Sequence, residues 1–308
     1  MIKKYVLKTT KFLIPTLIFV VLLEISLRFI PNEFSYKKKY LDKNANQIET
    51  LILGSSYTYF GVDPKFFTLK SFNAADVNRP IYFDYLIYDK YKDEFKNLKN
   101  IVIPISYSTF NSKLNEAEEL SPWGSFNYYI YFGLPNKSSI RNNFEVLSMP
   151  FSSVREKISL YIQKRMDNNT NYGWSTLGWG NYYDSNHKID MEKDGFKEKD
   201  MFDSISFKLN TIDFFHFAEN LKNRDINLCI IIPPFYKTFK VNRDIKCVNE
   251  TYNVLKEVTV KYNNCFFYDF SSDIDFIEED FFDSNHLNMN GARKLSVKLN
   301  NIITNINK

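Results

Sequence analysis

Two short motifs contain the residue types of a serine-based acyl-transfer site. The first is Gly54-Ser55-Ser56, which directly follows an apolar run. The second is Asp283-Ser284-Asn285-His286, which precedes Gly291 and a closing helix-like stretch. A serine hydroxyl becomes a nucleophile when a neutral imidazole accepts its proton and a carboxylate orients that imidazole. The motifs therefore predict Ser56 as nucleophile, His286 as general base and Asp283 as the group that orients His286.

Each motif taken alone has a plain structural interpretation. Gly-Ser-Ser after a strand is usually an ordinary turn or helix cap, and Asp-x-x-His before a helix often caps that helix. A spacing of three nevertheless lets the carboxylate reach one ring nitrogen while the other nitrogen faces the serine. The prediction depends on both motifs occurring in one suitable fold.

The elements around the motifs indicate an α/β domain. Buried strands are predicted at Thr50–Leu53, Ser71–Asn73, Ile101–Ile105, Leu228–Ile232 and Cys265–Tyr268. Helices are predicted at Phe83–Phe95, Thr211–Lys222, Thr251–Val260 and Ala292–Ile306. Such alternation is typical of a doubly wound parallel sheet, in which ligands bind beyond the carboxyl ends of the strands. Gly54-Ser55-Ser56 lies at such an end.

A long insertion, at about 110–210, separates the third and fourth predicted strands. It is too long for a simple crossover, so we expect helical and loop structure of its own. Trp174 and Trp179, each preceded by glycine, are candidates for stacking on a sugar. Packing in the core of the insertion is the alternative for both.

The combination of strand-end serine, late Asp-x-x-His and five α/β strands resembles the SGNH, or GDSL-like, hydrolase family. The resemblance covers residues 50–106 and 226–300 and implies a flavodoxin-like, five-stranded parallel sheet. The third residue of the family's first block is the nucleophile, which here is Ser56. Asp283 and His286 match the final block directly.

The blocks that supply the family's oxyanion hole differ in this chain. The second block usually provides a glycine amide, but here it contains no glycine and offers Asn78. The third block usually provides an asparagine, but here it offers Ser106 and Ser108. With the amide of Ser56, these residues are the candidate oxyanion donors. The departures keep open a catalytically inactive relative that binds a polysaccharide or an assembly partner.

Anchored proteins of this type resemble the teichoic-acid D-alanyl transfer protein and polysaccharide O-acetylation proteins of the cell envelope. The resemblance implies a serine acyl-hydrolase or O-acyltransferase that acts, without a cofactor or metal, on acyl groups of an envelope polysaccharide or other glycan. It also implies a membrane-bound O-acyltransferase as a partner. An unrelated α/β protein, with both motifs coincidental, is the remaining interpretation.

The first 43 residues indicate a membrane anchor. Phe12–Ile30 is largely apolar, and four lysines precede it. The positive-inside rule places those lysines in the cytoplasm and the rest of the chain outside it. A cleaved signal peptide is the main alternative, but no small-x-small cleavage site follows the apolar run. We therefore expect an anchor at 1–30, a solvated or headgroup-contacting connector at 31–48, and the SGNH-like domain with its insertion at 49–308.

Charge and cysteine content exclude other classes. Residues 1–43 hold nine basic and three acidic residues, whereas the remainder is slightly acidic. The basic excess therefore suits a membrane, and no nucleic-acid partner is predicted. Cys229, Cys247 and Cys265 form no CxxC pair, so neither a zinc site nor a redox motif is predicted.

Overall fold

In a computed structural model, five parallel strands form a single sheet. The structure describes residues 2–112, 124–136, 139–167, 173–181, 202–241 and 243–308. The strands are β1 (Thr50–Ile52), β2 (Ser71–Asn73), β3 (Asn100–Pro104), β4 (Asn227–Ile232) and β5 (Cys265–Asp269). Their order is β2-β1-β3-β4-β5. The predicted α/β class and all five predicted strands are confirmed.

The register of the sheet brings the ends of β1 and β3 together. Thr50 pairs with Asn100 and Ile52 with Val102, while β4 continues the ladder beside β3. The three central strands are apolar and almost wholly buried, as expected for a parallel sheet covered on both faces. The strand order is that of flavodoxin-type open sheets, whose ligands bind where the order reverses. That point lies between β1 and β3.

Helices and short 3-10 turns connect the strands. The helices are α1 (Ile2–Arg28), α2 (Glu33–Asn44), α3 (Ser56–Gly61), α4 (Ile81–Tyr91), α5 (Phe126–Ile130), α6 (Glu145–Ser148), α7 (Phe151–Met166), α8 (Ser204–Lys222), α9 (Lys237–Val241), α10 (Ile245–Lys261) and α11 (Met289–Ile306). The 3-10 turns are Ala45–Gln47, Pro64–Phe66, Thr109–Asn111, Ile140–Asn143 and Glu278–Asp280. All four predicted helices are present, with different bounds.

Helix α11 packs against one face of the sheet. Leu295, Leu299 and Ile303 lie on one side of this helix at the 3.6-residue period, and all three are buried. They share a core cluster with Ile52 and Val102, which project from neighbouring strands. The same helix contacts α3, so the end of the chain packs beside the first turn after β1.

The segment 34–43 differs from the predicted connector. It is the helix α2, whose buried Phe34, Lys37 and Leu41 recur at helical spacing. Tyr40 also stacks on Phe72 of β2, with ring centroids 4.0 Å apart. The interpretation of this segment as solvated was wrong, because three consecutive lysines concealed the buried face, and contact with lipid headgroups stays a prediction.

The chain divides into two compact units. One comprises Met1–Lys38 and Glu118–Tyr172, and the other comprises Lys39–Ala117 and Gly173–Lys308. The second unit contains the sheet. Much of the insertion therefore groups with the N-terminal helix, which differs from the predicted division at residues 30 and 48. Within the first unit, the Phe34 ring meets Tyr128 edge-on at 5.1 Å.

Helix α1 is long and apolar enough to cross a membrane. Its stretch Thr10–Arg28 has 19 residues, and side chains such as Phe12, Leu17 and Phe19 are more than half exposed. At 1.5 Å per residue this stretch is about 28 Å long, close to the roughly 30 Å hydrocarbon core of a bilayer. A membrane-spanning helix is therefore compatible with the structure.

Candidate active site

The turn after β1 requires glycine at its first position. Gly54 has a φ of +111°, and a Cβ atom there would lie 2.1 Å from Cδ of Pro104 in β3. Only glycine combines this backbone conformation with so close a neighbour. The Gly54 amide donates to Oδ1 of Asp84 at 2.8 Å. The turn thus brings the chain from β1 directly into α3.

Ser56 is the first residue of α3. Ser55 is the N-cap in an extended conformation, and its side chain makes no capping hydrogen bond. Ser56 itself is 8% exposed, so its hydroxyl lies largely out of bulk water. Its amide belongs to the first turn, where helical N–H groups lack partners within the helix.

Asp283 folds back onto His286, as the spacing of three predicts. His286 Nδ1 lies 2.8 Å from Oδ2 of Asp283. The other carboxylate oxygen accepts the amides of Asn285 at 3.0 Å and His286 at 2.7 Å. Burial opposes ionisation of Asp283, but the hydrogen bonds and the nearby imidazole together lower its pKa below the usual value. The carboxylate is therefore ionised at neutral pH.

The second imidazole nitrogen faces the serine. His286 Nε2 lies 2.8 Å from Oγ of Ser56. The atoms thus form a continuous chain from carboxylate to imidazole to hydroxyl, with each contact at hydrogen-bond distance. With Nδ1 protonated and donating to Asp283, Nε2 is the acceptor that a serine proton needs.

Aromatic rings surround the imidazole. Tyr57 stacks on His286 with centroids 5.7 Å apart, and Phe60 meets it edge-on at 5.8 Å. Phe235, which follows β4, meets Tyr57 edge-on at 5.6 Å. These rings restrict the orientation of the imidazole and lower the local polarity. Sequence reasoning had not assigned them a role.

Asn288 holds the loop of His286 against α11. Its Oδ1 caps the helix by accepting the amides of Asn290 and Gly291 at 2.9 and 3.2 Å. Its Nδ2 donates to the carbonyl of Glu279 at 2.8 Å. A Cβ at Gly291 would lie 2.3 Å from the carbonyl oxygen of Asp280. The loop is therefore fixed at both of its ends.

The predicted oxyanion side chains are not joined to Ser56. Ser106 is buried, and its hydroxyl lies 3.1 Å from that of Ser108 and 3.0 Å from that of Thr109. Asn78 is exposed, with a left-handed φ of 52°. None of the hydrogen bonds found in the described ranges connects these three predicted donors to Ser56. Among the predicted donors, only the Ser56 amide belongs to the nucleophile's own helix.

Trp179 supports the helix of Ser56 and is not available for stacking on a sugar. It is 5% exposed, and its indole N–H donates to the carbonyl of Phe60 at 2.7 Å. The neighbouring Gly180 amide donates to the carbonyl of Tyr59 at 3.0 Å. Helix ends leave such carbonyls unsatisfied, so Gly173–Asn181 caps the C-terminal end of α3. The prediction of substrate stacking by Trp179 is corrected accordingly.

Trp174 lies on the same loop. It is half-buried and pairs with Gly180 through an antiparallel bridge. Its predicted role in substrate binding stays a prediction. The loop also pairs with the sheet edge, because the Asn73 amide donates to the carbonyl of Leu177 at 2.9 Å. Part of the predicted insertion, namely 113–123, 137–138, 168–172 and 182–201, lies outside the described residues.

A buried ion pair lies behind the turn after β1. Nη2 of Arg79 is 2.5 Å from Oδ1 of Asp84, and both side chains are at most 1% exposed. Arg79 also donates to the carbonyl of Ala74 at 2.6 Å. Since Asp84 accepts the Gly54 amide as well, the pair fixes the backbone that leads into Ser56. The sequence carried no signal for this arrangement.

The three cysteines are free thiols and are buried. Burial raises the pKa of Cys229 and of Cys265 to about 12. Such thiols are protonated and shielded at neutral pH, which argues against nucleophilic roles. Within the ranges that the structure describes, no cluster of His, Cys, Asp and Glu suits a metal ion.

No protein-family model matches the sequence, and no curated protein matches it.

Proposed function

We propose that this protein is a membrane-anchored serine esterase or O-acyltransferase of the SGNH type. The observation that supports this most directly is the contact of 2.8 Å between His286 Nε2 and Ser56 Oγ, with Asp283 on the opposite ring nitrogen. The β2-β1-β3-β4-β5 order and the location of Ser56 after β1 agree with the resemblance to that family.

The proposed reaction has two halves. Ser56 Oγ attacks the carbonyl carbon of an acyl ester while its proton passes to Nε2 of His286. The tetrahedral intermediate collapses, the alcohol leaves with the proton held by His286, and an acyl-Ser56 ester remains. Water or a sugar hydroxyl then attacks this ester and gives its proton to His286, which passes it to Ser56 Oγ as the free acid or the new sugar ester leaves. Asp283 stays ionised and stabilises the imidazolium in both halves.

Stabilisation of the oxyanion is assigned first to the amide of Ser56, in the first turn of α3. Losing one donor from such a site costs on the order of 10²–10³ in rate. With Ser106 hydrogen-bonded to its neighbours and Asn78 exposed, we expect slow turnover of simple esters. A polymer substrate that supplies further contacts would compensate for this loss.

The substrate class and location follow from the resemblance together with α1. We propose that an acyl group, most simply acetyl, is moved to or from an envelope polysaccharide outside the cytoplasm. A membrane-bound O-acyltransferase is the proposed source of acyl groups. Helix α1 supports membrane attachment by its length and apolar surface.

A catalytically inactive protein that binds polysaccharide or an assembly partner is the second candidate. The lack of the family's usual glycine and asparagine in the second and third blocks favours it, together with the hydrogen bonds that hold the Ser106 hydroxyl to Ser108 and Thr109. Under this hypothesis, glycan binding survives replacement of all three relay residues and no turnover accompanies it.

The test is covalent labelling of the full chain in detergent micelles. The protein is treated with a fluorophosphonate or an activated acetyl ester, and adducts are mapped by mass spectrometry. We expect one adduct, on Ser56, that disappears in Ser56→Ala. Ser55→Ala is the matched control, because the Ser55 side chain makes no capping bond. Absence of any adduct on folded protein, also after a membrane acyl-donor is added, would favour the binding function.

A further inference from the structure

The first unit presents apolar side chains beside the end of α1 that carries Glu24 and Arg28. Four residues make up this surface, which we call the collar: Ile140, Phe144, Leu147 and Phe151. They are 80%, 41%, 53% and 81% exposed, respectively. We propose that the collar is embedded in the bilayer leaflet at the Arg28 end of α1, so that the chain contacts the membrane through a second segment besides its spanning helix.

Three hydrogen bonds link the collar segment to α1. Glu24 accepts the amide of Glu145 at 3.2 Å through Oε1 and that of Val146 at 3.0 Å through Oε2. Arg28 donates through Nη2 to the carbonyl of Asn143 at 2.7 Å. The bonded backbone groups alternate with collar residues along the chain. The depth of α1 in the membrane therefore sets the depth of the collar.

Helix geometry places these bonds inside the apolar stretch of α1. Glu24 precedes Arg28 by four residues, or about 6 Å along the helix axis. The stretch Thr10–Arg28 has 19 residues and about the length of the hydrocarbon core. The whole stretch is therefore needed to cross the core. If this stretch spans the membrane, the amides that bind Glu24 lie about one helical turn below the membrane boundary. The collar is then at the level of lipid chains and headgroups.

The two buried carboxylates at this level, Glu24 and Glu145, are paired within the protein. Glu24 is 9% exposed and accepts Nε of Arg28 at 2.7 Å in addition to the two amides. Glu145 is fully buried and pairs with Nζ of Lys157 at 2.7 Å. Charged side chains persist in a bilayer when they are paired and shielded in this way.

Further large apolar side chains are exposed at the same level, beside the exposed Arg28, Arg141 and Asn143. Phe29, in the turn after α1, is 80% exposed, and Leu22 and Ile25 of α1 are 57% and 46% exposed. The collar extends this surface sideways from the helix. Several large apolar side chains on short helices are typical of segments that enter a membrane interface. Because the collar continues a surface built to contact lipid, we assign lipid as its occupant.

The test is site-directed spin labelling of the full chain in phospholipid vesicles. Single cysteines replace Ile140, Leu147 or Phe151, and a nitroxide is attached to each. The three native cysteines are buried, so the unsubstituted protein measures background labelling. Collision rates with oxygen, which partitions into lipid, are compared with those of a water-soluble nickel chelate.

Control labels give the oxygen-to-nickel collision ratios expected for a site in lipid and for a site in water. Leu17→Cys, in the middle of α1, reports lipid exposure of the anchor. Ile274→Cys and Val260→Cys are the water controls, because Asp273 and Asp275 flank the first and Lys261 follows the second, and the native residues are 91% and 82% exposed. We expect the oxygen-to-nickel collision ratio at the collar to exceed that at 274 and 260 at least threefold. Circular dichroism of each variant checks that it is folded.

Two outcomes overturn the proposal. Collar labels that collide with nickel as freely as those at 274 and 260 would place the collar in water. Labels shielded from both reagents would indicate a protein partner or a second copy instead of lipid. If the label at Leu17 reports lipid and the collar labels do not, the membrane contact of the collar is rejected while the anchor stands. If neither position reports lipid, the proposal that α1 is a membrane anchor is rejected as well.

Discussion

His286 Nε2 lies 2.8 Å from Ser56 Oγ, although 230 residues separate the two in the chain. Neither side chain is drawn to the other by local sequence. The contact exists because β1 and the loop before α11 end at the same edge of one sheet, and because α11 packs on α3. The predictions below test this contact and the groups that maintain it.

Replacing Asp283 by asparagine should lower activity by about 10³–10⁴-fold, because the amide no longer favours the imidazole tautomer that accepts the serine proton. The measurement is kcat for an activated acetyl ester at pH 7. A decrease of less than tenfold in a folded variant would mean that Asp283 does not orient His286 during the reaction.

The same substitution should also change how stability depends on pH. The folded pKa of Asp283 lies below its ordinary value of 3.8. A carboxyl with a lowered folded pKa stabilises the protein above its unfolded pKa, and this contribution disappears as the pH falls through the folded value. In urea unfolding from pH 7 to pH 3, the excess stability of the native protein over Asp283→Asn should therefore be constant above about pH 5 and decrease below about pH 4. A constant difference across this range would contradict the assignment.

Gly54→Ala should destabilise the protein by about 2–4 kcal/mol, through a left-handed backbone and a clash with Pro104. Gly61→Ala, at the end of the helix that follows this turn, is the control, since a Cβ there meets Leu287 and Leu295 at 3.6 Å, an ordinary contact distance. We expect the control to change the free energy of unfolding by less than about 1 kcal/mol. Equal effects in urea titrations would show that the turn tolerates a side chain.

Trp179→Phe should slow acylation of Ser56, because it removes the indole N–H that caps Phe60 while keeping an aromatic ring. We expect a roughly tenfold lower second-order rate of fluorophosphonate labelling, with a stability cost of about 1–3 kcal/mol. Trp174→Phe controls for loss of an indole from the same loop, and the backbone bridge of Trp174 to Gly180 should persist. An unchanged labelling rate in Trp179→Phe would mean that the indole N–H does not affect Ser56 and that Trp179 only packs against α3.

The ion pair behind the turn should show strong coupling. Asp84→Asn leaves the Arg79 guanidinium buried without its carboxylate and should cost about 3–5 kcal/mol. Arg79→Met leaves the Asp84 carboxylate buried without its guanidinium partner and should be similarly destabilising. The double variant should cost clearly less than the sum of the two single variants, as measured by chemical denaturation. Strict additivity would show that the two charges do not interact.

The strands and the contact between Asp283 and His286 were predictable because their signals are local, whereas the assignment of Ser56 also needed the combination of both motifs in one α/β fold. Each strand is a short apolar run, and the spacing of three between Asp283 and His286 already implies their contact. Trp179 and Asp84 could not be assigned, because their partners Phe60 and Gly54 lie 119 and 30 residues away. Neither tryptophan nor aspartate is a residue type that by itself predicts a hydrogen bond to a distant backbone group, so these roles are seen only in the folded chain.

The N-terminal region was harder to predict for a different reason. Composition favoured a solvated segment at 34–43, but Lys37 is buried within α2. Likewise, Glu24 and Arg28 interrupt the apolar run of α1 and lie four residues apart. Their backbone partners lie more than 110 residues further along the chain. Charged residues inside an apolar helix can thus indicate hydrogen bonds to a segment that is distant in sequence.

The location of the relay has a consequence for protein synthesis. A chain that is still being made carries Ser56 long before His286 exists, and α11, which packs on α3, follows His286 in the sequence. The proposed relay therefore cannot assemble in a nascent or truncated chain that lacks this last segment.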